Sequence, residues 1–281
     1  MDRNEQIRRA QLFRALHRAP PTLLLPNAWD LMSARIFADA GYPAIATTSG
    51  GVAWALGFAD GEKTPWADVV TATARIAASV SVPVTADIEA GYGETPEQVA
   101  HHVVEIAQAG SAGVNLEDGA GGGLRTIEDA VARIAAARRA ITEAGIDLVI
   151  NARTDVYLHG TGDAAAKLEE ATERGKAYLA AGADCIYVFA LTDLATITAI
   201  TRSLAAPVNI VGRAGTPPLA ELETAGVARV SIASGATLVV ASSLQRLAKD
   251  LRATGNFGIL DHRMTRAEAQ QLFVQQKGRS S

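Results

Sequence analysis

The chain has 281 residues, 48% of them hydrophobic, and its 26 Lys and Arg against 30 Asp and Glu leave a formal charge of -4 at pH 7. That balance, without a basic block, excludes nucleic acid as the main partner, because binding a polyanion needs clustered cations. No stretch approaches the ~18 consecutive apolar residues of a membrane span, the charged start MDRNEQIRRAQLFRALHRA lacks an apolar signal core, and the single Cys185 can form no intramolecular disulfide; a cytoplasmic protein acting on a small molecule is expected.

A first strand is predicted over residues 22–27, a second over 44–49 and a third over 83–89, followed by runs at 113–117, 147–153, 185–190, 207–211 and 228–233. All eight are apolar runs without strict alternation, the pattern of parallel strands covered on both faces. The dipeptide Ala-Gly recurs at 40–41, 109–110, 144–145, 181–182 and 225–226, each time closing a helical stretch before a strand. Glycine in that position takes the left-handed conformation that ends a helix. Helix starts are marked by Thr95-Pro96-Glu97-Gln98, a capping box with Pro at the first helical position, and by Thr216-Pro217. Residues 50–66 make a long connection after the second strand and are expected to form a lid; 234–253 reads as the last barrel helix, and 265–277 as a further helix in a C-terminal extension over 254–281. One domain over 1–281, a single α/β (β/α)8 TIM barrel, is the expected architecture. A doubly wound open sheet is the alternative, but no GxGxxG follows the first strand.

In such a barrel the chemistry sits where strands end. The second strand ends in Thr47-Thr48-Ser49-Gly50-Gly51, the third in Asp87-Ile88-Glu89, the fourth in Glu117-Asp118, the fifth in Asn151-Ala152-Arg153-Thr154-Asp155, and the seventh carries Asn209. Asp87 and Glu89 are two apart on a strand and share a face; with Glu117 they make an oxygen-rich site for Mg2+ or Mn2+. The other reading of these acids is helix capping or pairing with Lys and Arg. Arg153 is suited to a carboxylate or phosphate, or to an internal pair with Asp155 or Glu117. Ser49, Gly50 and Gly51 offer backbone N–H groups to a substrate carboxylate. His101, His102, His159 and Cys185 are read as structural.

The segments PNAWDLMSARIFADAGYPAIATTSGG, TADIEAGYG, NLEDG, NARTD and PVNIVGRAGTPPLAELETAGVARVSIASG, in this order at these strand ends, resemble the isocitrate lyase/phosphoenolpyruvate mutase superfamily over most of the chain. The resemblance implies a Mg2+-dependent barrel that makes or breaks C–C or P–C bonds of small 2-oxo or 2-hydroxy carboxylates through enolate-like intermediates. It implies Asp87 as direct metal ligand, with Glu89 and Glu117 holding the metal, often through water. Ser49, Gly50 and Gly51 would contact substrate, Arg153 would grip it, and Asp60 in GFADGEKTP would act from the lid; Asn209, from its place on the seventh strand, is a further substrate-binding candidate, and a metal-bound water or Tyr92 is a candidate proton source. Members are commonly homotetramers exchanging a C-terminal helix. Where the isocitrate and methylisocitrate lyases carry Lys-Lys/Arg-Cys-Gly-His, this chain has Gly119-Ala120-Gly121-Gly122-Gly123-Leu124, with neither that cysteine nor the Lys and Asn-Ser of the mutase. The pattern is closer to members acting as oxaloacetate decarboxylases or lyases of small 2-oxo dicarboxylates. The competing expectations are a phosphonate-active mutase or hydrolase and a barrel that binds a 2-oxo acid without turning it over.

Overall fold

Pro26 has no N–H to give a neighbouring strand, and it divides the first predicted strand into β1 (Leu23–Leu25) and β2 (Asn27–Ala28). The division closes the barrel, since β1 pairs with the last strand and β2 with the next one in the chain. In chain order the others are β3 (Ile45–Thr47), β4 (Val84–Asp87), β5 (Gly113–Glu117), the hairpin strands β6 (Gly119–Ala120) and β7 (Gly123–Leu124), β8 (Val149–Thr154), β9 (Cys185–Val188), β10 (Val208–Val211) and β11 (Arg229–Ser231). The large sheet is parallel throughout and runs β1-β11-β10-β9-β8-β5-β4-β3-β2, so all eight predicted strands are present in the expected order. This computed structural model describes residues 2–18 and 20–274.

Helices α1 (Arg3–Leu16), α2 (Leu31–Asp39), α3 (Ser49–Leu56), α4 (Trp66–Ser79), α5 (Pro96–Gln108), α6 (Ile127–Glu143), α7 (Val156–His159), α8 (Ala164–Ala180), α9 (Leu194–Leu204), α10 (Leu219–Thr224), α11 (Gly235–Thr254) and α12 (Arg266–Val274) lie between and beyond the strands. Helix α5 begins with the expected box: Thr95 caps the Gln98 amide and the Gln98 side chain returns to the Thr95 N–H, with Pro96 inside the first turn. The glycine of every Ala-Gly pair has a positive φ just past its helix. The main core lies between the outward faces of the strands and helices α5, α6, α8 and α9, where Ile88, Val114, Ile134, Ile150, Ile186 and Ile200 are buried.

Three expectations are corrected, and one is met as far as it is described. Thr216-Pro217 does not start a helix: the Thr216 hydroxyl accepts from the Arg213 N–H and donates to the Val211 carbonyl, and α10 begins at Leu219. The 50–66 connection is helical in its first half, because Thr48 caps α3 and only 57–65 remain as loop. Helix α11 has no buried residue, so it does not cover the barrel as a last helix would; Leu238, Val239 and Leu244 are all more than half exposed. The further helix is described from Arg266 to Val274, and the rest of its predicted span lies outside the described residues.

One element was not expected. Helix α1 seals the barrel floor, with Phe13 fully buried among Leu23, Leu25, Ala46 and Val149. The approach is so close that a Cβ on Gly113 would stand 2.8 Å from the Phe13 ring, which is why β5 has glycine there. Arg14 ties the helix down through Asp147 at 2.5 Å and through Asp184.

Candidate active site

The strands' alternation decides what faces the barrel mouth. Ala86 and Ile88 go outward to the core, which turns Asp87 inward; Leu116 and Ala152 do the same for Glu117 and Arg153. The register then sets them side by side, with Asp87 opposite Asn115 across β4–β5 and Glu117 opposite Arg153 across β5–β8. Arg153 is held on two sides. Its Nε and Nη2 form a fork on Asp155 at 2.6 and 2.9 Å, its Nη1 meets Glu117 at 2.7 Å, and its Cζ stacks 3.8 Å from the centre of the Phe189 ring. Both paired readings of Arg153 are therefore realised. A guanidinium has five N–H groups, so one hydrogen on each terminal nitrogen is left for a ligand.

On the other side Glu89 is tied to the backbone of the 57–65 loop. The Glu89 carboxylate accepts the Glu62 N–H at 2.9 Å and the Tyr92 hydroxyl at 2.9 Å, while the Glu62 carboxylate accepts the Tyr92 N–H at 2.6 Å. Glu62, Glu89 and Tyr92 all have left-handed backbone, with φ of 58°, 51° and 56°. Such strain costs roughly 1–3 kcal/mol per residue and persists only where surrounding contacts over-determine it. The Asp87 carboxylate accepts the Ser49 N–H at 3.1 Å, and its own N–H donates to Thr47. Asp60 is folded over the start of α3: a Cβ on Gly50 would stand 3.0 Å from its Oδ2 and 3.1 Å from the Ser234 hydroxyl. The expected set of Ser49, Gly50, Gly51, Asp60, Asp87, Glu89, Glu117 and Arg153 is thus gathered at one end of the barrel. Asn209 lies deeper, fully buried with its amide on Ser231 at 3.2 Å.

The electrostatics are those of crowded negative charge. Burial pushes the Glu89 carboxyl up to about 7; the Glu62 N–H and the Tyr92 hydroxyl pull it back, and Asp87 and Asp60 add to the rise. Burial likewise raises Glu117 to about 8, against the pull of Arg153 and with help from Asp155, Asp87 and Glu89. Burial and the charge of Glu89 push the Tyr92 phenol well above its usual range, and its hydroxyl donates to Glu89. Among the described residues no three His, Cys, Asp or Glu side chains close into a ready coordination shell, because each acid here faces a protein donor. The donor set still fits a hard divalent cation: it is all oxygen, it carries negative charge that one arginine does not balance, and Mg2+ keeps several waters when bound by few carboxylates.

The three histidines named from the sequence and the cysteine make other contacts. His102 stacks on Trp66 and bonds the Gly91 carbonyl, and His101 is exposed. His159 is half-buried at the end of α7. Cys185 is buried at the start of β9, with burial pushing its thiol up to about 12. Sequence reasoning missed Glu62 and the hairpin β6–β7, which rises from Glu117-Asp118 beside the site, and gave Asp118 no role. The run of glycines from 121 to 123 was the available signal for the hairpin.

The family model described as phosphoenolpyruvate phosphomutase matches residues 13–252. A solved structure of a putative phosphonomutase from Burkholderia cenocepacia superposes with a TM-score of 0.83 at 43% identity, covering 87% of this chain and 99% of that one. The 2-methylisocitrate lyase of Escherichia coli is 32% identical over 82% of this chain and 80% of its own length. An oxaloacetate decarboxylase of Ectopseudomonas mendocina is 30% identical over 71% of this chain and 68% of its own.

Proposed function

The chain belongs to the isocitrate lyase/phosphoenolpyruvate mutase superfamily, and from that premise we propose that it is a divalent-metal-dependent carbon–carbon lyase of a small 2-oxo or 2-hydroxy dicarboxylate, such as a decarboxylase of oxaloacetate. One observation carries this reading: Arg153, with two hydrogens free, sits beside a carboxylate cluster that one cation does not neutralise, at the mouth where the N–H groups of α3 begin. Asp87, Glu89 and Glu117 would hold Mg2+ or Mn2+. When bound, that cation supplies a Lewis acid for the charge that gathers on a 2-oxo oxygen as the neighbouring bond breaks.

The rest falls to the chain's own groups. The N–H of Gly50, at the positive end of α3, receives the substrate carboxylate, since the Ser49 N–H is given to Asp87 and the Gly51 N–H to the Thr48 cap. The free Arg153 hydrogens point at the developing oxyanion, and the fork on Asp155 keeps them from reorganising during the reaction. Asp60 and the 57–65 loop exclude water from the enolate, and the latch between Glu62, Tyr92 and Glu89 holds that loop against the acids. The hairpin at 119–124 offers no Cys, Lys or His to act as an acid, which suits a bond that breaks without protonation of the leaving fragment, as in loss of CO2.

A P–C-cleaving activity is the second reading, favoured by the 43% identity to a putative phosphonomutase. Pyruvate release from oxaloacetate, methylisocitrate, dimethylmalate and phosphonopyruvate, with Mg2+ and with EDTA, tests both. Metal-dependent turnover of a dicarboxylate, lost in Asp87→Ala, is the expected result; turnover of phosphonopyruvate alone would select the second reading, and none at all would leave a binding protein.

We also propose that the working form is a homotetramer in which α11 packs on another copy. The bare apolar side of α11 and a groove of about 370 Å³ on the outside of the barrel, lined by Leu24, Leu222, Val230 and Ile232, support it. A compact monomer in sedimentation at micromolar concentration would remove it.

A further inference from the structure

Behind the wall that carries Arg153 lies a second buried polar cluster that none of these steps uses. Asp118 is 1% exposed. Its Oδ1 accepts the backbone N–H of Asp155 at 2.8 Å; its Oδ2 accepts the Tyr178 hydroxyl at 2.6 Å and Arg174 Nη1 at 3.1 Å. Arg174 and Tyr178 stand one turn apart on α8 and therefore on one face. Arg174 Nη1 also reaches the Tyr178 hydroxyl at 3.2 Å and the carbonyl of Arg125 at 3.0 Å, while its Nε goes to Glu170. Tyr178 thus accepts from Arg174 and passes its own hydrogen to Asp118.

Two contacts of this cluster end on backbone that shapes the site, the Asp155 N–H and the Arg125 carbonyl. Asp155, whose N–H is held by Asp118, is the residue whose carboxylate forks Arg153. The Asp118 N–H donates to the Arg153 carbonyl at 3.1 Å, and the Arg125 N–H donates to the Asp118 carbonyl at 2.8 Å, so the same residues pin both feet of the β6–β7 hairpin. There is no slack between the two layers: the void bordered by Glu117, Asp118, Arg153 and Tyr178 measures only about 10 Å³, about the space of one water. Holding α8 to the barrel does not require this cluster, since Gly175 already lets α8 approach Leu204 of α9 to within contact and Ala171 packs in the main core. We propose that Asp118, Arg174 and Tyr178 form a positioning node that sets, through Asp155, where Arg153 presents its two free hydrogens, and that fixes the hairpin base to the same point. Misplacing a gripping group by about 1 Å is enough to cost on the order of a hundredfold in rate.

This inference rests on the reading of Arg153 as the substrate-gripping residue, and the test separates the two. Tyr178→Phe removes one hydroxyl and keeps the ring, so the fold is retained; it is combined with Asp155→Asn in a double-mutant cycle. Two quantities are read, kcat/KM for the acid turned over and calorimetric affinity for oxalate, which needs no turnover. Tyr178→Phe is expected to lower both about tenfold, within the range seen when outer partners of a site are removed. Asp155→Asn is expected to lower them more. In the Asp155→Asn background the same Tyr178→Phe change is expected to cost less than about twofold, because groups acting as one unit are not additive. Arg174→Lys, which keeps a cation beside Asp118, should retain more affinity than Arg174→Met. Fully additive losses, or a fall in melting temperature with oxalate affinity unchanged, would overturn the node. If the wild type turns over none of the acids, the lyase reading falls while oxalate affinity still judges the node. If oxalate is not bound either, a crystal structure of Tyr178→Phe with Arg153 unmoved would overturn it.

Discussion

Two arginines point into the barrel, and their surroundings could hardly differ more. Arg153, at the mouth, keeps 15% of its side chain exposed and has an acid on each side and an aromatic ring beneath it. Arg229, on β11, is the largest fully buried side chain among the described residues. It makes one hydrogen bond, Nη2 to Asn115 Oδ1 at 3.2 Å; its Nε and Nη1 have no hydrogen-bond partner, and the Phe13 ring lies 5.8 Å away. Charge follows surroundings: the acids beside Arg153 hold its proton more tightly than usual, whereas burial makes Arg229 easier to deprotonate, against a weaker pull from Cys185, Tyr187 and Asp87. A guanidinium prepared to meet a ligand is held on its far side and left free on its near side. One that is merely enclosed has donors with nowhere to go.

The sharpest way to break this contrast is to remove the fork. Arg153→Lys keeps the charge but cannot pair with Asp155 through two parallel bonds; kcat/KM is expected to fall by about 10²–10³, the range for losing one oriented donor to a developing oxyanion. A loss under tenfold in steady-state kinetics would mean that charge alone suffices. Arg229→Met should act oppositely. Replacing buried charge by an apolar side chain of similar length is often neutral or stabilising by about 1–4 kcal/mol, so urea unfolding should show stability held or raised; a loss of several kcal/mol would make Arg229 a partner of Asp87 after all.

A smaller effect concerns pH. Glu117, beside Arg153, has its folded value near 8 against an ordinary 4.5, and Glu89 is near 7. A group raised on folding favours the folded state while it is protonated. Without metal, these two contributions are complete below pH 4.5 and are lost as pH rises through 7 and 8. A bound cation favours the ionised form, so the gain in melting temperature on adding Mg2+ should grow from pH 5.5 to 8.5. A gain that is flat over that window would show that neither acid faces the cation.

Much of this was legible beforehand, for a physical reason: strands buried on both faces read as apolar runs, and acids interrupting such runs at their ends, as Asp87, Glu89 and Glu117 do, stand out against them. Pairings across long sequence distances leave no such mark. Tyr178 and Arg174 meet Asp118 from 60 and 56 residues away, and in the sequence they are ordinary members of an amphipathic helix. Helix α11 was misplaced because Leu238, Val239 and Leu244 show an apolar side whether it covers its own barrel or another surface. Arg229 did carry a signal, a lone cation inside Ala228-Arg229-Val230-Ser231-Ile232, but a strand pattern does not say whether such a side chain reaches the mouth or ends in the interior.

The floor of the barrel has a consequence for how the chain is made. Helix α1 is synthesised early, yet the acids that anchor Arg14 follow it by 133 and 170 residues. At about 5–20 residues per second on the ribosome, Phe13 and its neighbours wait on the order of 10–30 s for a surface to bury them. During that interval α1 is an amphipathic segment with an aromatic exposed, available to chaperones, and the barrel can be closed from below only when β9 has emerged. A helix translated ahead of the whole barrel is thus among the last parts to dock.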